Sequence, residues 1–93
     1  MIRSFSDRET ELVWNGVRSR KLPGDIQNKA LVKLTLLNRS ATLDDLRVPP
    51  GNRLERLSAE RRHQYSIRIN DQWRICFEWR EGHAYGVEIV DYH

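Results

Sequence analysis

The sequence predicts a small α+β domain, a short N-terminal strand and two helices packed on an antiparallel meander sheet. Three observations predict it. The chain has 93 residues, the size of one domain, and residues 1–93 contain no repeat, low-complexity tract or linker. Apolar residues recur with a period near 3.6 in the first half and with a period of 2 after residue 52. The helical segments come first and the strands follow them, the order of an α+β layer fold.

Residues 2–5 read as a short first strand. Ser6-Asp7-Arg8-Glu9 has the form of a capping box, a hydroxyl followed three residues later by a carboxylate. The helix after it carries Thr10, Leu12, Val13, Trp14 and Val17 as its apolar stripe, and Leu22-Pro23-Gly24-Asp25 breaks it. A second helix over about 25–38 places Ile26, Ala30, Leu34 and Leu37 on one face. Thr42-Leu43-Asp44-Asp45 reads as the cap of a single turn, and Val48-Pro49-Pro50-Gly51-Asn52 suits neither a helix nor a central strand. Leu54 and Leu57 flank Arg56 in a short strand. Tyr65-Ser66-Ile67-Arg68-Ile69 and Trp73-Arg74-Ile75-Cys76-Phe77-Glu78-Trp79 alternate, and a last strand follows Glu81-Gly82.

Composition narrows the class. Hydrophobic residues make up 39% and charged ones 31%, which suits a folded domain with a thin core and is too apolar for a disordered chain. No apolar run approaches the ~20 residues of a membrane span, and the N-terminus lacks an apolar signal-peptide core. The one cysteine, Cys76, excludes an internal disulfide and a cysteine-cluster zinc site. The expectation is a cytoplasmic protein with no membrane contact, no metal and no cofactor.

Charge and register give the functional lead. Of 16 basic residues 13 are Arg, whose planar fork matches phosphate. Residues 53–74 carry a net +3 and residues 75–93 a net −3, which fits either a phosphate-facing surface or a salt-bridged sheet. Ile67 and Ile69 share the core face with Trp73, Ile75 and Phe77 only if Ile69 stands opposite Trp73 across the loop Asn70-Asp71-Gln72. Arg68 then lies opposite Arg74, a like-charge pair that costs up to ~1 kcal/mol unless an anion sits between them. A three-residue loop at Arg80-Glu81-Gly82 pairs Phe77 with Tyr85 and Ile75 with Val87. That register sends Glu88 and Tyr92 to the exposed face that carries Arg68 and Arg74; a two-residue Glu81-Gly82 turn would reverse it.

The chain closes on Asp91-Tyr92-His93. The ordinary pKa of a histidine suits His93 to proton transfer near neutrality, Asp91 can orient its ring, and Tyr92 can stack a base or hold a phosphate. Arg61-Arg62-His63 is a basic loop that flanks the same surface. Trp14, Trp73 and Trp79 have core spacing, His83 is incidental, and nothing in the sequence pairs Cys76 with a base. Guanidinium groups, a His and a Tyr without metal ligands suit metal-free cleavage of RNA, in which the 2′-hydroxyl attacks its own phosphorus.

The segment "YSIRINDQWRICFEW", the ending "VEIVDYH" and "PPGNRLE" together resemble the HigB branch of the RelE/ParE toxin superfamily, and the likeness extends over the two N-terminal helices. The resemblance implies a RelE-like fold and an endoribonuclease that cuts mRNA in the A site of the 70S ribosome. It also implies a HigA-type helix-turn-helix antitoxin that represses the shared operon, so that operator DNA is met only through the antitoxin. By position Arg74, Tyr92 and His93 match the family's functional residues and Arg68 its supporting basic position. Arg53, Arg56, Arg61 and Arg62 are then phosphate contacts. Ala59-Glu60-Arg61-Arg62-His63 departs from the glycine-containing turn of many relatives, and Glu55 stands where some have His. Glu55, His63 and His93 are the candidates for the general base. The alternative is a ParE-like toxin that inhibits DNA gyrase by binding.

Overall fold

The computed structural model describes residues 1–57 and 63–91. Helices α1 (Arg8–Trp14) and α2 (Gly24–Arg39) precede 3-10 turns at Leu43–Arg47 and Pro50–Asn52, followed by strands β1 (Glu55–Arg56), β2 (Gln64–Arg68), β3 (Trp73–Arg80) and β4 (His83–Asp91). The strands form one antiparallel sheet in the order β1-β2-β3-β4, which is the expected α+β meander. Val13, Ile26, Ala30, Leu34 and Leu37 of the helices pack on Ile67, Ile69, Ile75, Phe77, Val87 and Ile89 of the sheet.

The spacing read for α2 holds, because all four of its stripe residues are buried. The stripe of α1 holds only in part. The helix stops at Trp14, before Gly16 at φ +77, so the break comes earlier than the Pro23 segment and Val17 is 50% exposed. Pro23 instead caps α2. Thr10 is buried and its Oγ1 accepts the Ile89 N–H at 2.9 Å, which fastens α1 to β4. The capping box expected at Ser6 does not form. The cap is Asp7, without a side-chain bond, because the Ser6 hydroxyl donates to the Gly86 carbonyl at 2.8 Å and Glu9 accepts from Ser19 at 2.6 Å. The box at Thr42 does form. Asp45 Oδ2 accepts the N–H groups of Thr42 and Ala41 at 3.0 and 2.8 Å, and these bonds hold its carboxyl below the usual carboxylate range.

The β2–β3 register is the one expected, with Ile67 opposite Ile75, Arg68 opposite Arg74, and the Ile69 N–H donating to the Trp73 carbonyl at 2.9 Å. The β3–β4 register is not. Glu81 and Gly82 form a two-residue turn with φ +51 and +81, which pairs Arg80 with His83 and Glu78 with Tyr85. A bulge then moves the ladder on by one residue, so that Phe77 faces both Gly86 and Val87, and Cys76 pairs with Glu88. The bulge undoes the reversal that the short turn would cause. Glu88 therefore shares a face with Arg74, as expected, though by another route.

Gly86 at φ +59 forms the bulge, and its N–H donates to Ser4 Oγ at 2.8 Å. Residues 2–5, expected as a strand, run parallel to β4 on either side of this bulge. They make two isolated bridges, Ile2 to Ala84 and Phe5 to Val87, because the bulge interrupts any continuous ladder.

Candidate functional site

Arg74 is the centre of the polar side of the sheet, and it is not open to solvent as the alternation suggested. It is 6% exposed, and its neighbours Ser66 and Cys76 are fully buried. The chain around Arg53 and Glu55 lies against it. Arg74 Nε donates to Ser66 Oγ at 2.9 Å, and one terminal nitrogen donates to the Arg53 carbonyl at 2.5 Å and to the Ser66 carbonyl at 3.4 Å. The other terminal nitrogen lies 3.8 Å from Glu55 Oε1, a half-exposed carboxylate. Arg68, directly across the ladder, pairs with Asp71 of the hairpin loop. The like-charge pair is thus offset by two carboxylates of the chain itself, and no bound polyanion is required to explain it.

The carbonyl that holds Arg74 is set by a local device. Arg53 closes the Pro50–Asn52 turn in the left-handed conformation, at φ +45 and ψ +57, which side chains rarely adopt. Asn52, fully buried before it, donates to the carbonyls of Leu46 and Val48 at 3.1 and 3.4 Å. Its own carbonyl oxygen accepts from the ammonium of Lys33 on α2. Lys33 is 9% exposed; burial first, then the charges of Lys29 and Arg68, lower its pKa below the ordinary lysine value.

Several site residues fall where the sequence reading put them. Arg53 and Arg56 are exposed beside Glu55, and Arg68 is partly exposed. Asp91 is exposed at the end of β4, opposite Trp73, and accepts from Gln72 Nε2 at 3.1 Å. His63 is not beside Arg74; it lines a separate cleft with Arg56, Tyr65, Glu78, Trp79 and Arg80. Trp14, Trp73 and Trp79 pack against the core, as expected. Arg61, Arg62, Tyr92 and His93 lie outside the described residues. Among the described residues no group of three or more His, Cys, Asp or Glu is arranged to hold a metal, and no helix is long and apolar enough to cross a membrane.

Lys33, Asn52 and Ser66 were missed by the sequence reading. A signal existed for the first: Lys33 interrupts the apolar stripe of α2, three residues after Ala30 and four before Leu37. A cation at a core position needs an acceptor, and Asn52 supplies it. Taken together, the site offers a buried, oriented guanidinium, a second guanidinium across the ladder, and an adjacent half-exposed carboxylate able to take a proton.

Comparison with known proteins fixes the lineage. The protein is 38% identical over 85 residues to Toxin HigB-1 of Vibrio cholerae serotype O1, covering 90% of each chain. It is 36% identical over 59 residues to an uncharacterized protein of Haemophilus influenzae, covering 63% of this chain and 58% of the other. In structure it is similar to YafQ from E. coli, with a TM-score of 0.64 at 15% identity, covering 98% of this chain and 91% of that one; at that identity the likeness concerns the fold. Residues 3–93 match the HigB-like toxin family, described as RelE-like toxins of type II toxin–antitoxin systems. A toxin of such a system is paired with an antitoxin, and the chain belongs to this family, with the RelE-like fold its sequence led one to expect.

Proposed function

We propose that this toxin is an endoribonuclease that cuts messenger RNA in the A site of the translating 70S ribosome. Its antitoxin is a HigA-type helix-turn-helix protein, through which alone the toxin meets operator DNA. The observation that carries the reading is Glu55, held 3.8 Å from the buried Arg74 guanidinium with Arg68 across the ladder. In-line cleavage of RNA needs a base, an acid and fixed positive charge at the phosphorus. Glu55 takes the 2′-hydroxyl proton as the new P–O2′ bond forms. The P–O5′ bond breaks, and His93 gives a proton to the departing oxygen, leaving a 2′,3′-cyclic phosphate and a 5′-hydroxyl. Arg74 and Arg68 stabilise the charge of the five-coordinate phosphorus, and Tyr92 positions the base or the phosphate, with Asp91 orienting His93.

Arg53, Arg56, Arg61 and Arg62 contact message or ribosomal phosphates without reading sequence. A site with so few acid–base groups depends on alignment of the message, which the ribosome supplies. The test is induction of the toxin in growing cells with mapping of transcript ends. Cuts within codons are expected, lost in Arg74→Ala and in His93→Ala at equal expression. The proposal fails if both variants keep full growth inhibition and cleavage, or if induction damages DNA and leaves messages whole.

A further inference from the structure

Two unfavourable features of the chain meet at one carbonyl. The first is Lys33 of α2, an ammonium 9% exposed whose hydrogen bond goes to a neutral acceptor, Asn52 Oδ1, and not to a carboxylate. Burial opposes its charge, and so do Lys29 and Arg68, although a methionine of similar volume would carry no such cost. The second is Arg53, whose left-handed backbone no glycine relieves. Between them stands Asn52, fully buried. Its side chain accepts from Lys33 and donates to the Leu46 and Val48 carbonyls, and its N–H donates to the Pro49 carbonyl at 3.0 Å. The Arg53 N–H donates to the Pro50 carbonyl at 3.1 Å. The turn is pinned on several sides, and the Arg53 carbonyl it presents is the one that Arg74 meets at 2.5 Å.

We infer that Lys33 is a positioning residue for Arg74: through Asn52 it fixes the Arg53 carbonyl, and that carbonyl fixes the guanidinium at the reacting phosphate. The inference rests on the reading of Arg74 as the group that stabilises charge at phosphorus. The hydrogen bond of Lys33 goes to Asn52, and those of Arg74 go to Ser66 and Arg53, so the influence of Lys33 passes through the turn. Ser66 meets Nε at 2.9 Å and one terminal nitrogen at 3.4 Å; without the closer Arg53 carbonyl the fork can pivot about that residue. A guanidinium that stabilises a five-coordinate phosphorus has to be in place beforehand, because a displacement of ~1 Å can cost ~100-fold in rate. A purely structural lysine would change how much of the protein is folded and leave the rate of the folded molecules alone. A positioning lysine changes that rate.

The test compares Lys33→Met with Lys29→Met in the full chain, each checked for folding by urea denaturation. Lys29→Met removes an equal charge from the exposed side of α2, where no hydrogen bond reaches the turn. In single turnover on 70S ribosomes with a message in the A site, Lys33→Met should cut at least ~10-fold more slowly at saturation. Its half-saturating ribosome concentration should stay within ~2-fold, and Lys29→Met should match wild type. By NMR, the Arg74 Nε–H should exchange with water at least ~5-fold faster in Lys33→Met alone. Where Lys33→Met does not fold, Asn52→Asp takes its place: it keeps an acceptor for the ammonium, gives up both donations to carbonyls, and should show the same two changes. Unchanged exchange, unchanged cutting by a folded variant, or equal effects from Lys29→Met overturn the inference. The outcome is separable from the nuclease reading. Wild-type protein that leaves messages whole defeats that reading, while exchange of the Arg74 proton still decides whether Lys33 positions it. Cutting that needs Arg74 but is not slowed by Lys33→Met defeats the positioning role alone.

Discussion

Arg74 illustrates how a buried cation is positioned by acceptors that only a guanidinium satisfies together. Its fork reaches Ser66 Oγ, the Ser66 carbonyl and the Arg53 carbonyl from one planar group. A lysine cannot span them, so Arg74→Lys should lose ~1–3 kcal/mol of stability in urea unfolding and the proposed cleavage activity with it. Arg53 allows two roles to be separated. Its backbone holds Arg74 in a conformation that costs about 1 kcal/mol or more for a side chain, while its exposed guanidinium is free of that task. Arg53→Gly should therefore raise the melting temperature by ~4–8 °C for each kcal/mol regained, and at the same time weaken the proposed RNA binding. Lys33 gives a pH signature. Its folded pKa lies below its unfolded value, so the unfolded chain holds that proton more tightly. Its contribution is least favourable below the folded pKa and improves as pH rises towards the unfolded value of 10.5. The stability difference between wild type and Lys33→Met should move in favour of wild type over that interval and level off above it.

At the scale of elements, the sheet depends on one glycine. Gly86 at φ +59 lets the β4 bulge restore the facing of Glu88 after the two-residue turn, and an added Cβ would sit 3.1 Å from Ser6 Oγ. Gly86→Ala should cost ~1–3 kcal/mol in chemical denaturation, whereas Gly51→Ala, which meets open space, should be close to neutral. This glycine also marks the limit of what the sequence discloses. The β2–β3 register was legible because Ile67, Ile69, Ile75 and Phe77 leave one arrangement that buries them all. The β3–β4 register was not, since turn length and bulge are independent one-residue shifts that cancel, and alternation records only their sum. The same holds for the site. The pairing of Arg68 with Arg74 follows from spacing alone. The cover over Arg74 comes from Arg53 and Glu55, brought there by a turn whose left-handed residue has no glycine to announce it.

Across the whole molecule the exposed cations and the buried one have different work, and salt distinguishes them. Arg68 is matched by Asp71 and Arg74 by Glu55, so these two pairs add little net attraction for a distant polyanion. Arg53 and Arg56 stand exposed at β1, next to the site, where the proposed RNA backbone can reach them and contact would displace its counterions. For single strands each phosphate contact contributes about 0.7 to the slope of log affinity against log salt. With an oligonucleotide methylated at the 2′-oxygens, which cannot be cut, the double variant Arg53→Gln/Arg56→Gln should lower that slope by about 1.4. Arg18→Gln/Arg20→Gln, on the exposed loop between the helices, should leave the slope unchanged although it removes the same charge. Equal slopes for the two double variants would mean that the RNA senses only the net +3 of the chain. A fall confined to the β1 pair would place the phosphate path along that edge of the sheet, beside the Arg74 centre.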